Sequence, residues 1–454
     1  MSKHLRLALA ACCCIIVFLL LREPSCSNLS NLKLRKPNKN TKQVSKESVF
    51  VFTAYLDKRQ NSSFIRIPAL NRCPKKSEKF LYVKIESRWV GLIPETIENG
   101  CPWTWAKGCS LVAHLHSAQV SDNFQGIDIE IKGPGGVQRM NLKEVLVEKE
   151  DGLTVCVPPI YWYTDWTKLI LFIEYWRLQG ATQFVFYYLS GTEDVRKVFD
   201  FYSKEDWMTI LSWPLLPSND MFDPNPMVYR VGHSIAHNDC LLRTKTSRAV
   251  LLDVDELIYS KNASFLAMVD TFLNQSSVGG VLFNHHVLQY DPPLNPKLFD
   301  TAFVDYLGVL NPKWTLVEGP KKVVFNPSTV KRLGVHAVNQ YLSREWKTVT
   351  ASDKIGMLLH NRYNSAEYVQ NSTQTNFSLV SDPEEFRKVL LDRTREIFPD
   401  GASFNAGTQE VMAECLQDWR NGQGNCKNPI DGCRFQLQLL EKWNENTDDV
   451  YNVL

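Results

Sequence analysis

Residues 251–259 read LLDVDELIY, and this stretch determines how the rest of the chain is interpreted. Residues 249–254 predict the end of a buried strand, with Asp253, Asp255 and Glu256 where it stops. On a strand, the side chains of Asp253 and Asp255 would point the same way. Three carboxylates so close together repel one another unless a positive charge lies among them. We therefore predict that Asp253 and Asp255 hold Mn²⁺ or Mg²⁺ with a bound diphosphate, and the competing interpretation is a solvated acidic turn.

The composition is that of an ordinary globular protein of 454 residues, of which 44% are hydrophobic and 22% charged. This length suggests two or three domains at roughly 150 residues each. The net charge of +2 is unevenly distributed, because residues 1–46 hold nine Lys or Arg and one Glu, and the remainder is acidic. The basic part is a tail and not a face of a folded domain, so nucleic acid is not a predicted partner.

Residues 7–21, LALAACCCIIVFLLL, form an apolar run flanked by basic residues. A full membrane span needs about 20 apolar residues, so this run fits a signal anchor for a thin membrane or a signal peptide that is removed. We favour the anchor, with residues 1–6 as a cytoplasmic tail and residues 22–47 as a flexible stem. The chain would then be a single-pass type II membrane protein whose main part faces the lumen of the secretory pathway.

Cysteines and glycosylation sequons also fit a lumenal protein. The chain has twelve cysteines and no Cys-x-x-Cys pattern, so disulfides are expected and a zinc ribbon is not. The pairing of these cysteines cannot be deduced from their spacing. Six acceptor sequons for N-glycosylation occur, at Asn28, Asn61, Asn262, Asn274, Asn371 and Asn376.

Two kinds of pattern divide the main part of the chain. Residues 48–150 contain short β-type runs separated by Pro, Gly and Asn turns, which predict a β-rich N-terminal domain. Residues 151–445 begin with alternating strand and helix patterns, including a helix at 165–179, and predict an α/β domain with a parallel, nucleotide-binding sheet. A further helix at 229–243 would lead into the acidic strand end, where ligands of such sheets bind. No GxGxxG or Walker pattern is present, so hydride transfer and P-loop chemistry lack support.

The combined pattern resembles glycosyltransferase family 92, whose members have a GT-A fold and lie in the Golgi. The most specific part is residues 237–259, which run from HNDCL to LLDVDELIY and are similar to the nucleotide and metal block of the family. Residues 51–59, 156–181 and 322–336 also resemble family segments. A last segment, residues 359–363, departs from the family pattern, because this chain has His-Asn-Arg where the family commonly has His-Tyr-Arg.

The resemblance implies transfer of galactose from UDP-galactose to a glycan hydroxyl, with inversion, in the Golgi. The acceptor glycan would be carried by a glycoprotein or a glycolipid. A cation held by Asp253 and Asp255 would meet the negative charge that develops on the UDP leaving group. Histidines of the C-terminal segments add to the metal or phosphate site in such enzymes, and His360 ranks before His336 as the candidate.

The resemblance also implies other contacts to the nucleotide sugar. Asn238 and Asp239 would face uridine or ribose, although they could instead brace the adjacent loop. Lys322 and Arg362 would approach the diphosphate, and for the lysine a merely solvated role is the alternative.

Inversion by direct displacement needs a general base near the acceptor hydroxyl. Glu318, Asp305 and Asp291 are candidates because they follow the metal strand in the sequence, and the sequence does not decide among them. Two other functions remain open. The chain could be a non-catalytic glycan-binding protein with the same fold, or it could use another UDP-sugar.

Overall fold

The computed structural model describes residues 44–261, 264–289, 313–316, 319–361, 373–374, 378–402 and 442–454, with residues 408, 411, 415, 426, 433, 437 and 440. The predicted cytoplasmic tail, membrane segment and most of the stem lie outside the described residues. Within the part that is described, no helix is long and apolar enough to cross a membrane.

A ten-stranded sheet contains the first nine strands and the last one of the described chain. Its strand order is β26-β1-β3-β2-β9-β8-β4-β5, with β7 also paired to β3 and β6 paired to β7. Strand β3 is buried along almost its whole length, since β7 pairs with it on one side and β1 and β2 on the other. The strands are β1 (Phe50–Val51), β2 (Ala54–Asp57), β3 (Ser63–Asn71), β4 (Tyr82–Ile85), β5 (Arg88–Gly91), β6 (Ile93–Thr96), β7 (Val112–Val120), β8 (Asp128–Gly133) and β9 (Gly136–Val145), with β26 at Asn452–Val453.

A seven-stranded sheet in the order β13-β11-β10-β14-β19-β16-β22 forms the centre of the α/β part. Strands β10, β11, β13 and β14 are parallel, as the sequence pattern predicts. Strand β19 runs antiparallel to both of its neighbours. The strands of this sheet are β10 (Glu150–Ile160), β11 (Ala181–Tyr188), β13 (Met208–Ser212), β14 (Thr246–Leu251), β16 (Val278–Phe283), β19 (Lys322–Phe325) and β22 (Lys347–Thr350). The strands that belong to smaller sheets are β12 (Ser190–Gly191), β15 (Glu256–Ser260), β17 (His285–Gln289), β18 (Lys313–Leu316), β20 (Val330–Leu333), β21 (Val338–Tyr341), β23 (Gly356–Asn361), β24 (Thr373–Gln374) and β25 (Asn444–Glu445).

Three smaller sheets complete the strands of the described chain. Strands β15-β23-β17-β18-β24 form a five-stranded sheet, and β12-β25 and β20-β21 form two pairs. The five-stranded sheet brings the end of the acidic stretch, in β15, beside β23 from the C-terminal segment.

Helices cover both faces of the central sheet. Alternate residues of β10 point to opposite faces, so that Val155 and Val157 belong to one apolar core and Cys156 to the other. Helices α1, α2, α4 and α5 pack in the first core, whereas α3 packs in the second, between the central sheet and the ten-stranded sheet. The helices are α1 (Trp166–Leu178), α2 (Glu193–Tyr202), α3 (His233–Arg243), α4 (Phe265–Leu273) and α5 (Pro383–Ile397). This arrangement confirms the predicted α/β fold class.

Of the five helices whose bounds the structure describes, four begin with a side chain that caps the helix. The side chains of Asp165, Thr192, Ser264 and Asp382 accept hydrogen bonds from backbone N–H groups of the first turns of α1, α2, α4 and α5. Helix α3 begins instead after the left-handed Gly232, without a side-chain cap. The helix predicted at 229–243 therefore starts four residues late, at His233.

The expectation of disulfides is confirmed. Four pairs cross-link the described chain, at Cys73–Cys101, Cys109–Cys426, Cys156–Cys240 and Cys415–Cys433. Of the six sequons, Asn61 and Asn274 fall in the described residues, and both are exposed.

Candidate active site

The acidic pair lies on a turn and not on a strand. Strand β14 ends at Leu251, and β15 begins at Glu256. The backbone N–H of Glu256 donates to the carbonyl oxygen of Asp253 (3.0 Å), and the N–H of Asp253 donates to Oε2 of Glu256 (2.8 Å). The prediction that Asp253 and Asp255 share one face of a strand is therefore wrong, because the alternation of side chains stops where the turn begins. The two carboxylates have different neighbours.

Asp253 and Glu256 surround a buried lysine. Nζ of Lys322, at the start of β19, lies 2.9 Å from Oδ2 of Asp253 and 3.0 Å from Oε2 of Glu256. Burial alone would raise the pKa of Asp253, but the Lys322 ammonium holds it well below its usual range. Burial would likewise lower the pKa of Lys322, and the two carboxylates raise it instead. The pKa of Glu256 is raised to about 7, chiefly by burial. Lys322 is therefore an internal cation of the site and not a solvated surface residue.

Asp255 lies next to His360, the histidine that the sequence analysis ranks first as a candidate ligand. Strand β23 pairs with β15 so that His360 lies opposite Glu256, and Nε2 of His360 is 2.9 Å from Oδ2 of Asp255. On its other side, Nδ1 of His360 is 2.9 Å from Nε2 of His285. The backbone N–H of Asn361 donates to the carbonyl oxygen of Asp255 (2.7 Å).

The pair of Asp255 and His360 fits a divalent cation. Two neighbouring ligands of an octahedral ion with bonds of about 2.1 Å lie about 3 Å apart. The observed 2.9 Å between Oδ2 of Asp255 and Nε2 of His360 matches this spacing. Carboxylate oxygens suit Mn²⁺, and an imidazole nitrogen binds divalent first-row metals. Within the described residues, no three His, Cys, Asp or Glu side chains converge on one point, so phosphate or water oxygens would complete such a coordination sphere.

His336, the second histidine candidate, lies in the same electrostatic neighbourhood. It is half-buried, and Lys322, Asp253, Arg230 and His285 all act on its charge. Burial lowers its pKa to about 4, so the imidazole is neutral at physiological pH. Its Nδ1 has no hydrogen-bond partner among the described residues.

A cleft of about 310 Å³ opens beside the acidic turn, at the carboxyl ends of β10 and β14. Ligands of α/β sheets bind at this edge. One wall is largely apolar and is formed by the end of β10 and the segment after it; the other holds charged side chains. The lining residues are Val157, Pro158, Pro159, Ile160, Tyr161, Trp162, Tyr163, Asp165, Lys168, Arg230, His233, Asp253, Val254, Asp255, Cys433 and Leu437.

Arg230 is a cleft residue that the sequence analysis missed. Arg230, Val231 and Gly232 are all left-handed, with φ of 38°, 59° and 86°. Such a conformation is unusual for arginine and strained for the β-branched valine. The indole N–H of Trp213 donates to the carbonyl oxygen of Val231 (2.8 Å) and holds this turn. Only Gly232 hinted at the turn, and the apolar spacing around it favoured a continuous helix.

The left-handed turn places the Arg230 guanidinium among the acidic groups of the cleft. Burial would lower the pKa of Arg230, but Tyr229, Tyr161, Asp253 and Asp255 raise it. His233, the first residue of α3, also lines the cleft. Its Nε2 has no hydrogen-bond partner among the described residues, and burial keeps the pKa of this histidine well below its usual range. The cleft thus combines a fixed positive charge with neutral imidazole.

Asn238 and Asp239 do not reach the cleft, which corrects the prediction that they contact the nucleotide. Nδ2 of Asn238 donates to the carbonyl oxygens of Ser234 and Leu333 (both 2.8 Å), and the N–H of Leu333 donates to Oδ1 of Asn238 (3.0 Å). Both side chains are buried, and their polar atoms are used to join α3 to other elements.

The carboxylate of Asp239 is similarly committed to partners inside the fold. It accepts hydrogen bonds from the hydroxyls of Tyr55 (2.5 Å) and Tyr187 (2.8 Å) and pairs with Arg243. These contacts explain why a polar pair occurs within an otherwise apolar helix.

Four further candidates lie outside the described residues. They are the diphosphate-binding candidate Arg362 and the general-base candidates Glu318, Asp305 and Asp291.

Comparison with known proteins gives one family match and one curated relative. The sequence model of glycosyltransferase family 92 matches residues 151–393, which include the whole acidic turn and β23. A glycosyltransferase family 92 protein of Caenorhabditis elegans is 26% identical over 174 residues. The match covers 37% of this chain and spans about a third (32%) of the length of that relative.

Several solved structures are similar at low TM-scores. One is glucosyl-3-phosphoglycerate synthase from Mycobacterium tuberculosis in complex with Mn²⁺, UDP and glucosyl-3-phosphoglycerate, with a TM-score of 0.23, 12% identity, and coverage of 54% of this chain and 80% of that one. Another is a mannosyltransferase from Pyrobaculum calidifontis in complex with GDP-mannose and Mn²⁺, with a TM-score of 0.28, 12% identity, and coverage of 64% and 88%.

Proposed function

Because the chain belongs to glycosyltransferase family 92, we propose that it transfers galactose from UDP-galactose to a hydroxyl of a glycan, with inversion and with a divalent cation. The acceptor is a glycan of a glycoprotein or a glycolipid. The observation that carries the proposal is the pair of Asp255 and His360, whose facing atoms lie 2.9 Å apart and of which Asp255 lines the cleft.

The charges of the cleft suit a nucleoside diphosphate. Asp255 and His360 would hold Mn²⁺, with Asp253 and His336 beside them, and the bound ion would stabilise negative charge on the leaving diphosphate. The Arg230 guanidinium lies in the lining of the same cleft, and its planar donors suit phosphate oxygens. Lys322 keeps Asp253 ionised without the help of a metal. The chain therefore supplies two cations of its own next to the acidic turn.

The apolar wall of the cleft has a different role. Val157, Pro158, Pro159 and Ile160 shield one side from water, which strengthens the electrostatic contacts on the other. Burial raises the pKa of Tyr161 to about 12, so this phenol donates a hydrogen bond at neutral pH and does not act as a base. We assign the base to the segment that holds Asp291, Asp305 and Glu318, because it follows the cleft strands in the sequence.

We propose the Golgi lumen as the site of action, with residues 7–21 as a type II membrane anchor. Four disulfides support an oxidising compartment. The exposed sequons at Asn61 and Asn274 are accessible to the glycosylation machinery of the same pathway.

The test uses the full-length protein, a panel of UDP-sugars, a glycan array and added Mn²⁺. We expect transfer from UDP-galactose, and we expect Asp255→Asn to lower kcat/KM at least 100-fold with an unchanged melting temperature, because the carboxylate is lost as a ligand while the turn is kept. Asp392→Asn is the matched control, since Asp392 lies on the exposed face of α5.

Three outcomes would change the proposal. Full activity of Asp255→Asn, or of the wild type in excess chelator, contradicts the metal-dependent site. Transfer from UDP-glucose or UDP-N-acetylglucosamine alone replaces the donor. Glycan binding without turnover of any donor favours a non-catalytic glycan-binding protein.

A further inference from the structure

Trp105 is an exposed aromatic residue in a fixed position. It lies in the 3₁₀ turn Thr104–Ala106, on the loop between β6 and β7, and 59% of its side chain is exposed. A lone exposed tryptophan needs no explanation by itself, but one on a turn whose neighbouring residues are packed and cross-linked presents an apolar surface at a constant place.

The loop that carries Trp105 is attached at both ends. Cys101 is bonded to Cys73 in the N-terminal part, and Cys109 is bonded to Cys426 in the C-terminal part. Beyond the second disulfide, the backbone N–H of Leu111 donates to the carbonyl oxygen of Met227 (3.1 Å). The loop is thus fastened to the segment that leads into the left-handed turn before α3.

Side-chain packing joins the same loop to Tyr229. The ring of Trp103 meets that of Tyr229 edge-on, with centroids 4.9 Å apart. Ala106, Cys109 and Tyr229 form a small apolar cluster with Val335. Trp103 cannot change position without disturbing this cluster, and the turn that carries Trp105 is held between Trp103 and Ala106.

Tyr229 connects Trp105 to the cleft. The next residue, Arg230, lines the cleft beside Asp253, and its Cζ lies 5.6 Å from the centre of the Tyr229 ring. The turn that carries Trp105 therefore adjoins Tyr229, the residue that precedes the cleft arginine. The ionic groups line the cleft, and the exposed neutral ring of Trp105 lies on this neighbouring loop, outside that lining.

We propose that Trp105 is the platform on which a pyranose ring of the acceptor glycan stacks. A pyranose has an apolar face of C–H groups that packs against an aromatic ring, and an indole on a turn that is already fixed leaves less backbone entropy to lose on binding. The charged diphosphate of the donor requires the charged residues of the cleft. The neutral acceptor does not, and it can therefore bind on the aromatic surface. This inference rests on the proposed function and identifies part of its acceptor site.

The experiment compares Trp105→Ala and Trp105→Phe in the full-length protein. Two rates are measured: transfer to the best acceptor of the glycan array, and acceptor-free hydrolysis of UDP-galactose. We expect Trp105→Ala to raise the KM for the acceptor at least tenfold, with unchanged acceptor-free hydrolysis and unchanged KM for UDP-galactose. Trp105→Phe, which keeps a ring, should stay within about threefold of the wild type. Trp89→Ala is the matched control, since Trp89 is 40% exposed but lies on β5 and not on the loop that packs against Tyr229.

The two proposals fail in different ways. An unchanged acceptor KM in Trp105→Ala overturns the platform, and so does an equal loss of transfer and acceptor-free hydrolysis, which would place Trp105 in support of the donor site. If the wild type turns over no donor, the proposed function fails. The role of Trp105 is then tested by direct binding of the wild type and the two Trp105 variants to the glycan array. Binding that is lost in Trp105→Ala and kept in Trp105→Phe then supports the platform, whereas equal binding by the wild type and Trp105→Ala overturns it.

Discussion

Lys322 lies fully buried between Asp253 and Glu256, where its ammonium is paired with both carboxylates. A buried charge is costly unless it is paired, so these residues depend on one another. The carboxylates keep the lysine charged, and the lysine keeps Asp253 ionised. The acidic turn is therefore formed before any ligand binds.

Removal of the lysine charge should destabilise the fold. We expect Lys322→Met to lower the free energy of unfolding by about 3–5 kcal/mol, because it leaves the buried Glu256 and the half-buried Asp253 without a counter-charge. The double variant Lys322→Met with Asp253→Asn should recover part of the loss. Urea unfolding measures both effects, with Lys321→Met as the control for a half-buried neighbouring lysine. Equal stability of the Lys322 and Lys321 variants would contradict the pairing.

Single residues of the site differ in how far the sequence predicts them. Asp255 is predictable as a candidate because it belongs to an Asp-x-Asp pattern at a strand end, and His360 because its segment resembles the last segment of the family pattern. Arg230 is not, since its position depends on a left-handed turn that a distant tryptophan, Trp213, holds. Asn238 was misassigned for a similar reason: its partner Leu333 lies far away in the sequence, and a polar residue in an apolar helix suggests a ligand until such a partner is known.

At the scale of elements, helix α3 positions one end of the cleft. Its first turn carries His233 and follows Arg230, and its middle is bonded to β10 through Cys156 and Cys240. The same helix packs between two sheets. A shift of α3 would therefore move Arg230 relative to the acidic turn.

Loss of this disulfide should affect stability and donor binding together. We expect the double variant Cys156→Ala with Cys240→Ala to lose about 2–4 kcal/mol of unfolding free energy and to show a higher KM for UDP-galactose at temperatures where it is folded. The double variant Cys73→Ala with Cys101→Ala should keep the KM for the proposed donor, because that disulfide does not involve α3 and neither cysteine lines the cleft. Thermal unfolding and donor kinetics give the two readouts. A normal donor KM in the first variant would show that packing alone positions α3.

Strands and helices that follow from a local pattern of apolar residues were predictable from the sequence. Strands that join a sheet from a distant segment were not. The alternation of strands and helices from residue 151 predicts the parallel strands β10, β11, β13 and β14. Strand β19 enters the same sheet antiparallel from a later segment, which no local periodicity reveals. The end of β14 at Leu251 was also missed, because apolar residues continue past it while the backbone already turns.

At the scale of the whole molecule, several buried histidines are neutral. His114 and His116 on β7 are fully buried, and burial lowers their pKa values to about 4 and about 3. Nδ1 of His114 lies 2.9 Å from the carbonyl oxygen of Val112, and Nε2 of His116 lies 2.9 Å from Oδ1 of Asn71. In the unfolded chain these imidazoles return to a pKa near 6.5 and take up protons.

Stability should therefore fall with acidification. Below pH 6.5 the unfolded chain binds more protons than the folded one, so each such histidine removes about 1.4 kcal/mol of unfolding free energy per pH unit until the folded pKa is reached. We expect a decline from pH 6.5 to about 4, to which His233, His237 and His336 contribute with the same sign. His116→Gln should reduce the slope of unfolding free energy against pH by about 1.4 kcal/mol per pH unit, which corresponds to one proton. Urea unfolding at several pH values measures it, and identical slopes for the variant and the wild type would contradict the assignment.

Strand β1 pairs with β26 through Phe50 and Val453, and the backbone N–H of Val49 donates to the carbonyl oxygen of Leu454 (2.7 Å). During translation, one side of β1 consequently stays without its partner until residues 452–454 have left the ribosome. A nascent chain with an open strand edge is exposed to mispairing with other chains. Chaperones that act on nascent chains would therefore have to protect this edge until residues 452–454 have been made.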